Sequence, residues 1–178
     1  AVGDLAGKRV LDAGAGKGRY AALLKREHPR ADVTALDVSA EMLRHVPPGI
    51  ATVQHSLLDL PFPDGRFDAV LCVEALEHAV HIPEAVRELV RVLAPGGTLV
   101  VIDKNKAKLG ALDMPSWERW FDAEELTALL RSLGLDVEAA YVGYDGREAD
   151  GLFLCWTARK ARSVHASTPY DVAAGAAL

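Results

Sequence analysis

Seven short runs rich in Val, Leu and Ile, most of them separated by longer segments whose apolar residues recur three and four positions apart, constrain this sequence more than any other feature. Arg9 to Ala13, Asp32 to Leu36, Ile50 to Gln54, Phe67 to Val73 and Thr98 to Asp103 read as strands, followed by two more near Asp136 to Val142 and Leu152 to Ala158. Between them, Arg19 to Glu27 reads as a helix closed by Pro29. A second helix is capped by Ser39 and runs to about Val46, with Glu41 in its first turn. A third spans Glu84 to Leu93, entered at Pro83 and ended by Pro95, Gly96 and Gly97. A fourth is capped by Asp122, carries Glu125 at the capping-box position and runs through Leu133 to a stop at Gly134. Strands alternating with helices predict an α/β fold: a doubly wound, mostly parallel seven-stranded sheet covered on both faces. The last two strands have no helix between them, only a loop at Gly143 to Gly151. They are expected to pair like a hairpin, making the last strand antiparallel. In such sheets ligands bind beyond the carboxyl ends of the strands, so the loops that follow strands are where function is expected.

Residues 1–160 hold all of these elements and are expected to form one domain, followed by a small-residue surface tail, 161–178. Cys72 and Cys155 each lie in an apolar run (VLCV and LFLCW), which predicts buried free thiols rather than a disulfide framework or a zinc motif. No apolar run approaches the roughly 20 residues of a membrane span, and Ala1 to Lys8 lacks the apolar core of a secretory signal. These features predict a cytoplasmic protein without a membrane partner. The missing initial Met suggests a trimmed chain. A net charge of −5 counts against nucleic-acid binding, although Lys104, Lys106 and Lys108 are spaced to form a local basic patch.

The loop Asp12-Ala13-Gly14-Ala15-Gly16-Lys17-Gly18 joins the first strand to the first helix, and Asp37 follows the second strand. Glycines at such a turn let the backbone approach a ligand with helix amides aimed at it, and a carboxylate one strand later can accept both hydroxyls of a ribose. The pair predicts nucleoside binding. A dinucleotide fingerprint requires its third glycine three residues after the second, where this chain has Arg19. A triphosphate loop requires a Lys followed by Ser or Thr, which is absent here.

VLDAGAGKG (Val10 to Gly18), ALDVSAEML (Ala35 to Leu43), LPFPDGRFDAV (Leu60 to Val70) and RVLAPGGTLVV (Arg91 to Val101) occur in order and at ordinary spacings. Together they resemble the signatures of the class I S-adenosylmethionine (SAM)-dependent methyltransferases, of the type 11 kind, over about Lys8 to Lys160. The resemblance implies the Rossmann-like methyltransferase fold and SAM as cofactor. It implies that Gly14, Gly16 and Gly18 pass under the methionine part of SAM and that Asp12 orients the amino-acid end. Asp37 would hold the ribose, and Val38 and Met42 would flank adenine. Many members place an acidic residue where this chain has Ser56; here Ser56 and the Leu57 amide would take over the adenine contact. Val73 would face the methyl-transfer centre.

After the fourth strand comes Glu74-Ala75-Leu76-Glu77-His78, with His81 three residues on. If helical, this segment places Glu74, Glu77, His78 and His81 on one stripe. Such a stripe resembles the metal-ligand positions of small-RNA 2′-O-methyltransferases and some ubiquinone-pathway O-methyltransferases. A divalent ion there would lower the pKa of an acceptor hydroxyl. The metal-free alternatives are His78 as general base, with Glu74 and Glu77 as further catalytic candidates, or plain capping and solvated polar residues. Trp117, in the irregular stretch Lys104 to Trp120, is the candidate acceptor contact, while Trp120 and Phe121 are expected to anchor the next helix.

The expected activity is methyl transfer from SAM to an oxygen or nitrogen of a small-molecule acceptor. The rivals are an RNA or protein methyltransferase, a non-catalytic SAM-binding partner subunit and, more distantly, a dehydrogenase. Because the first strand starts almost at once, the site is expected to be open, or to be completed by a partner chain or a missing N-terminal segment.

Overall fold

A computed structural model describes residues 3–113, 115, 117–143 and 148–162. The centre of the molecule is a seven-stranded sheet in the order β3-β2-β1-β4-β5-β7-β6. Its strands are β1 (Arg9–Ala13), β2 (Asp32–Asp37), β3 (Ala51–Gln54), β4 (Phe67–Val73), β5 (Leu93–Lys104), β6 (Leu135–Val142) and β7 (Phe153–Lys160). β1, β2, β3, β4 and β5 pair in parallel, and β7 runs antiparallel to both β5 and β6. The strand order reverses between β1 and β4, so the crevice at the carboxyl ends of these two strands is the switch point.

The helices are α1 (Arg19–Glu27), α2 (Ala40–Leu43), α3 (Ile82–Val92) and α4 (Ala123–Ser132). α1 and α2 cover one face, where Ala21, Leu24 and Leu43 pack on Val10, Val33, Leu71 and Val100. α3 and α4 cover the other, where Val86, Leu89, Leu126 and Leu130 pack on Leu11, Val70, Leu99 and Trp156. Burial on both faces explains why the central strands read as continuous apolar runs rather than alternating ones. Trp156 is fully buried and donates from its indole N–H to the Ala123 carbonyl (3.2 Å), fixing α4 on the sheet. The Lys160 ammonium donates to the carbonyls of Val90 and Leu93 (both 2.8 Å), satisfying acceptors freed where α3 ends.

Several boundaries differ from the sequence expectation. α2 is one turn and stops at Leu43 instead of continuing to Val46, although Ser39 caps it as expected by accepting from the Met42 amide (3.3 Å). Val46 packs instead against Gly18, at the start of α1. α3 ends at Val92, and the chain passes straight into β5 at Leu93, which pairs with Phe67. The residue before a proline is biased away from helix, so Pro95 disfavours a helical Ala94. Asp122 caps α4 through the amides of Glu124 (2.9 Å) and Glu125 (3.2 Å). Cys72 is buried and burial pushes its thiol well above the usual range, whereas Cys155 is only partly buried. The centre of the expected Gly143 to Gly151 loop and the tail from residue 163 lie outside the described residues. Among the described residues, no helix is long and apolar enough to cross a membrane.

Candidate functional site

The three glycines of the first loop all have left-handed backbone, with φ of 77° at Gly14, 53° at Gly16 and 77° at Gly18. The turn is tied down by its own amides: Gly14 and Ala15 both donate to the Leu36 carbonyl (2.8 Å each), and Gly18 donates to the Ala15 carbonyl (2.8 Å). A Cβ on Gly14 would run into Ala75, in the loop that follows β4, so the two loops are in direct contact. A Cβ on Gly16 would meet nothing within 4 Å, because Gly16 borders open space.

That space is a cavity of about 480 Å³ at the switch point. Its walls include Gly14, Gly16, Asp37, Val38, Met42, Ser56 and Leu57, seven of the ten cofactor residues expected from the sequence. Val38 and Met42 are 69 % and 41 % exposed, so two apolar side chains flank the cavity without protein cover. The Asp37 carboxylate is already engaged: Oδ2 accepts from the Gly16 amide and Oδ1 from the Ser39 amide, both at 2.8 Å. Each carboxylate oxygen has a second lone pair, so Asp37 holds the loop in shape and can still accept from a pair of hydroxyls. Ser56 Oγ accepts from the Leu58 amide (3.1 Å), leaving its own O–H as a donor.

Asp12, Gly18 and Val73 do not line the cavity. Asp12 is buried, and its carboxyl accepts from the Ala21 amide (2.9 Å), replacing the side-chain cap that Gly18 cannot give α1. Burial pushes the Asp12 carboxyl up to about 7, with the Ala21 hydrogen bond opposing and the charge of Asp37 adding to the rise. Gly18 serves the turn into α1 and its packing on Val46. Val73, at the end of β4, is buried in the sheet.

The segment after β4 departs most from expectation. It is a short 3-10 turn, Leu76–His78, so the helical stripe of four ligands does not form. Glu74 has φ 46°, the one positive value at a non-glycine among the described residues, a conformation that costs roughly 1–3 kcal/mol. Its amide donates to the Ile102 carbonyl (2.9 Å), anchoring the turn to β5. Glu77 points inward and is buried, with the Lys104 ammonium 2.7 Å from both carboxylate oxygens. Lys104 also lies 3.0 Å from Glu74 and 3.5 Å from Glu118. It is therefore a buried hub, not a member of a surface patch with Lys106 and Lys108. Burial alone would pull its ammonium down, but the hydrogen bonds of Glu77 and Glu74 outweigh that and hold it above its ordinary range. Asp103, fully buried beside it, accepts from the amides of Lys104 (2.9 Å) and Glu77 (3.2 Å). Burial, then the charge and hydrogen bond of Glu77, raise the Asp103 carboxyl well above the usual range.

His78 and Glu74 form the far wall of the cavity with Ala75, Ala79 and Val80. His78 Nε2 lies 3.4 Å from Glu77 Oε1, and its ring is 5.4 Å from that of the exposed Trp117. His81 stands apart, at the N-terminal end of α3. Glu77, His78 and Glu118 bring one potential ligand atom each within 4.8 Å of one another. A divalent ion there would sit against the Lys104 ammonium, which already uses both oxygens of Glu77, so the donor set does not fit a metal while Lys104 is in place. Sequence reasoning missed Asp103, Lys104 and Glu118. The only available signal was two charged residues closing an apolar strand.

The profile of a family described as "Methyltransferase domain" matches residues 11–101, just over half of the chain. A fatty-acid O-methyltransferase of Mycolicibacterium smegmatis is 39 % identical over 121 residues, 65 % of this chain and 43 % of that protein. A ubiquinone/menaquinone biosynthesis C-methyltransferase, UbiE, of Pseudomonas putida is 39 % identical over 114 residues, 58 % of this chain and 44 % of that protein. The chain thus spans less than half the length of these two relatives. Among solved structures, the Haloferax volcanii methyltransferase in complex with the Trm112 activator superposes with a TM-score of 0.77, at 20 % identity over 88 % of this chain and 84 % of that one. That likeness shows the fold alone. Together with the glycine turn, the acidic residue that ends β2 and the antiparallel β7, the profile match shows that the chain belongs to the class I SAM-dependent methyltransferase family.

Proposed function

We propose that this chain transfers a methyl group from SAM to an oxygen or nitrogen of a small-molecule acceptor. The observation that carries this reading is a single cavity with two unlike walls: a nucleoside wall of Gly14, Gly16, Asp37, Val38 and Met42, and a polar wall of Glu74 and His78. SAM would bring an electrophilic methyl on a sulfonium, and the chain's own task is to align the acceptor and take up its proton. Gly14, Gly16 and Asp37 would hold SAM, which would supply the methyl group and leave as the neutral thioether, while His78, as general base, would take up the acceptor's proton. Trp117, beside His78 and 65 % exposed, is the acceptor contact. The similarity to a fatty-acid O-methyltransferase and to a ubiquinone/menaquinone biosynthesis C-methyltransferase supports small apolar acceptors over RNA or protein. Val38 and Val80 line the cavity at 69 % and 71 % exposure, and Trp117 beside His78 is 65 % exposed, which favours a further segment or partner chain as its cover. The test is transfer of label from methyl-labelled SAM to a panel of fatty acids, phenols, quinols and amines. Product with one of these supports the reading. Binding of SAM with no product from any acceptor class, RNA and protein included, would leave the non-catalytic alternative standing.

A further inference from the structure

The Lys104 hub ties together three segments that are far apart in sequence: the turn after β4 through Glu74 and Glu77, the end of β5, and the stretch before α4 through Glu118. Such a hub is an expensive construction. An ammonium and a carboxylate that are each almost fully buried give up hydration worth several kcal/mol apiece, and a hydrophobic pair of equal volume would often serve stability as well. Stability alone is therefore a poor reason for it. What it achieves geometrically is to fix the Glu77 carboxylate. Both its oxygens are held at 2.7 Å by Lys104, and the Glu77 amide is held by Asp103. The fixed carboxylate places Oε1 3.4 Å from one nitrogen of His78, Nε2, an ion-pair contact that a small turn of the imidazole converts into an N–H···O bond. A carboxylate only accepts, so it selects the imidazole tautomer with the proton on Nε2. Nδ1 is then left with its lone pair, in a side chain that lines the cavity and is 45 % exposed.

We propose that Lys104 is a positioning residue: acting through Glu77, it sets His78 in the tautomer whose Nδ1 can accept the acceptor's proton. This rests on the reading of His78 as the base. It adds a residue that touches neither donor nor acceptor and lies 26 positions away in the chain.

The test is direct and needs no known acceptor. Multiple-bond ¹H–¹⁵N NMR of the imidazoles reports which nitrogen of His78 carries the proton, the signal being assigned by its loss in His78→Asn. In the native chain the Nε2–H form is expected to exceed the other roughly tenfold or more, as suits a charge-assisted contact. Lys104→Met and Glu77→Met should each reduce that excess by about threefold or more, and SAM affinity by calorimetry should stay within about threefold throughout, because neither Lys104 nor Glu77 lines the cavity. Glu77→Met removes the acceptor at similar side-chain volume and keeps the test available if Lys104→Met does not fold. A proton found on Nδ1 in the native chain, or an Nε2–H excess that survives either substitution, overturns the proposal. Undiminished methyl transfer by His78→Asn would instead sink the base reading and leave the tautomer result standing, so the two failures are distinguishable.

Discussion

Replacing Asp12 by Asn should make this protein more stable at neutral pH, by an amount that depends on pH in a defined way. The carboxyl is 2 % exposed, and burial moves it from 3.8 to about 7. The folded chain therefore binds this proton more tightly than the unfolded chain does. The stability it contributes is complete below about pH 4 and is lost as pH rises through about 7. At about 1.4 kcal/mol per tenfold change in proton affinity, the swing is about 4 kcal/mol, an upper figure because the fold can relax around the ionised group. Asp12→Asn keeps an oxygen to accept from the Ala21 amide and cannot ionise. Other groups contribute to the pH profile, Asp103 with the same sign and Asp68 and Glu88 with the opposite one. Subtracting the profile of the variant from that of the native chain removes them. Urea unfolding of both chains from about pH 4 to about pH 8 should give near-equal stabilities at the acid end, with the Asn variant ahead by about 2–4 kcal/mol at the other. A difference that stays flat with pH, or a variant less stable at about pH 8, would refute the reasoning.

Other outcomes follow from the same geometry. Gly14→Ala places a Cβ on Ala75 at a φ of 77°, so it should cost about 2–4 kcal/mol in unfolding free energy and abolish measurable SAM binding; native-like affinity would show that the two loops give way freely. Asp37→Ala removes the acceptor for the Gly16 and Ser39 amides as well as for a ribose, and should weaken SAM by about 1–3 kcal/mol in calorimetry, with Asp37→Asn falling between. Exhaustive chelation should leave methyl transfer to the responsive acceptor unchanged, since Lys104 supplies the positive charge among the carboxylates; activity lost on chelation and restored by Mn²⁺ or Zn²⁺ would contradict that.

The parts of this molecule that follow from local pattern were legible in the sequence. The apolar runs marked the central strands because burial on both faces removes alternation, and Ser39 and Asp122 marked helix starts because their side chains cap neighbouring amides. The glycine loop and Asp37 also read correctly as neighbours, since parallel β1 and β2 bring their carboxyl ends together. What failed was decided by contacts between distant positions. Glu77 and His78 read as a helical stripe because nothing near them reveals that Lys104 takes Glu77 into the interior. Lys104 itself, two and four residues before Lys106 and Lys108, looked like surface charge; its place at the end of a buried strand reverses that. Asp12 has a role that no local signal shows, accepting from the α1 amide that Gly18 leaves without a side-chain cap.

The central claim is that the cavity between the glycine turn and the loop after β4 is shaped for SAM. Calorimetric titration of the purified chain with SAM, with NAD as control, tests it most directly. One site per chain with a dissociation constant in roughly the micromolar range, and no heat with NAD, is the predicted result. No binding of SAM at millimolar concentration, or equal binding of NAD, would contradict it.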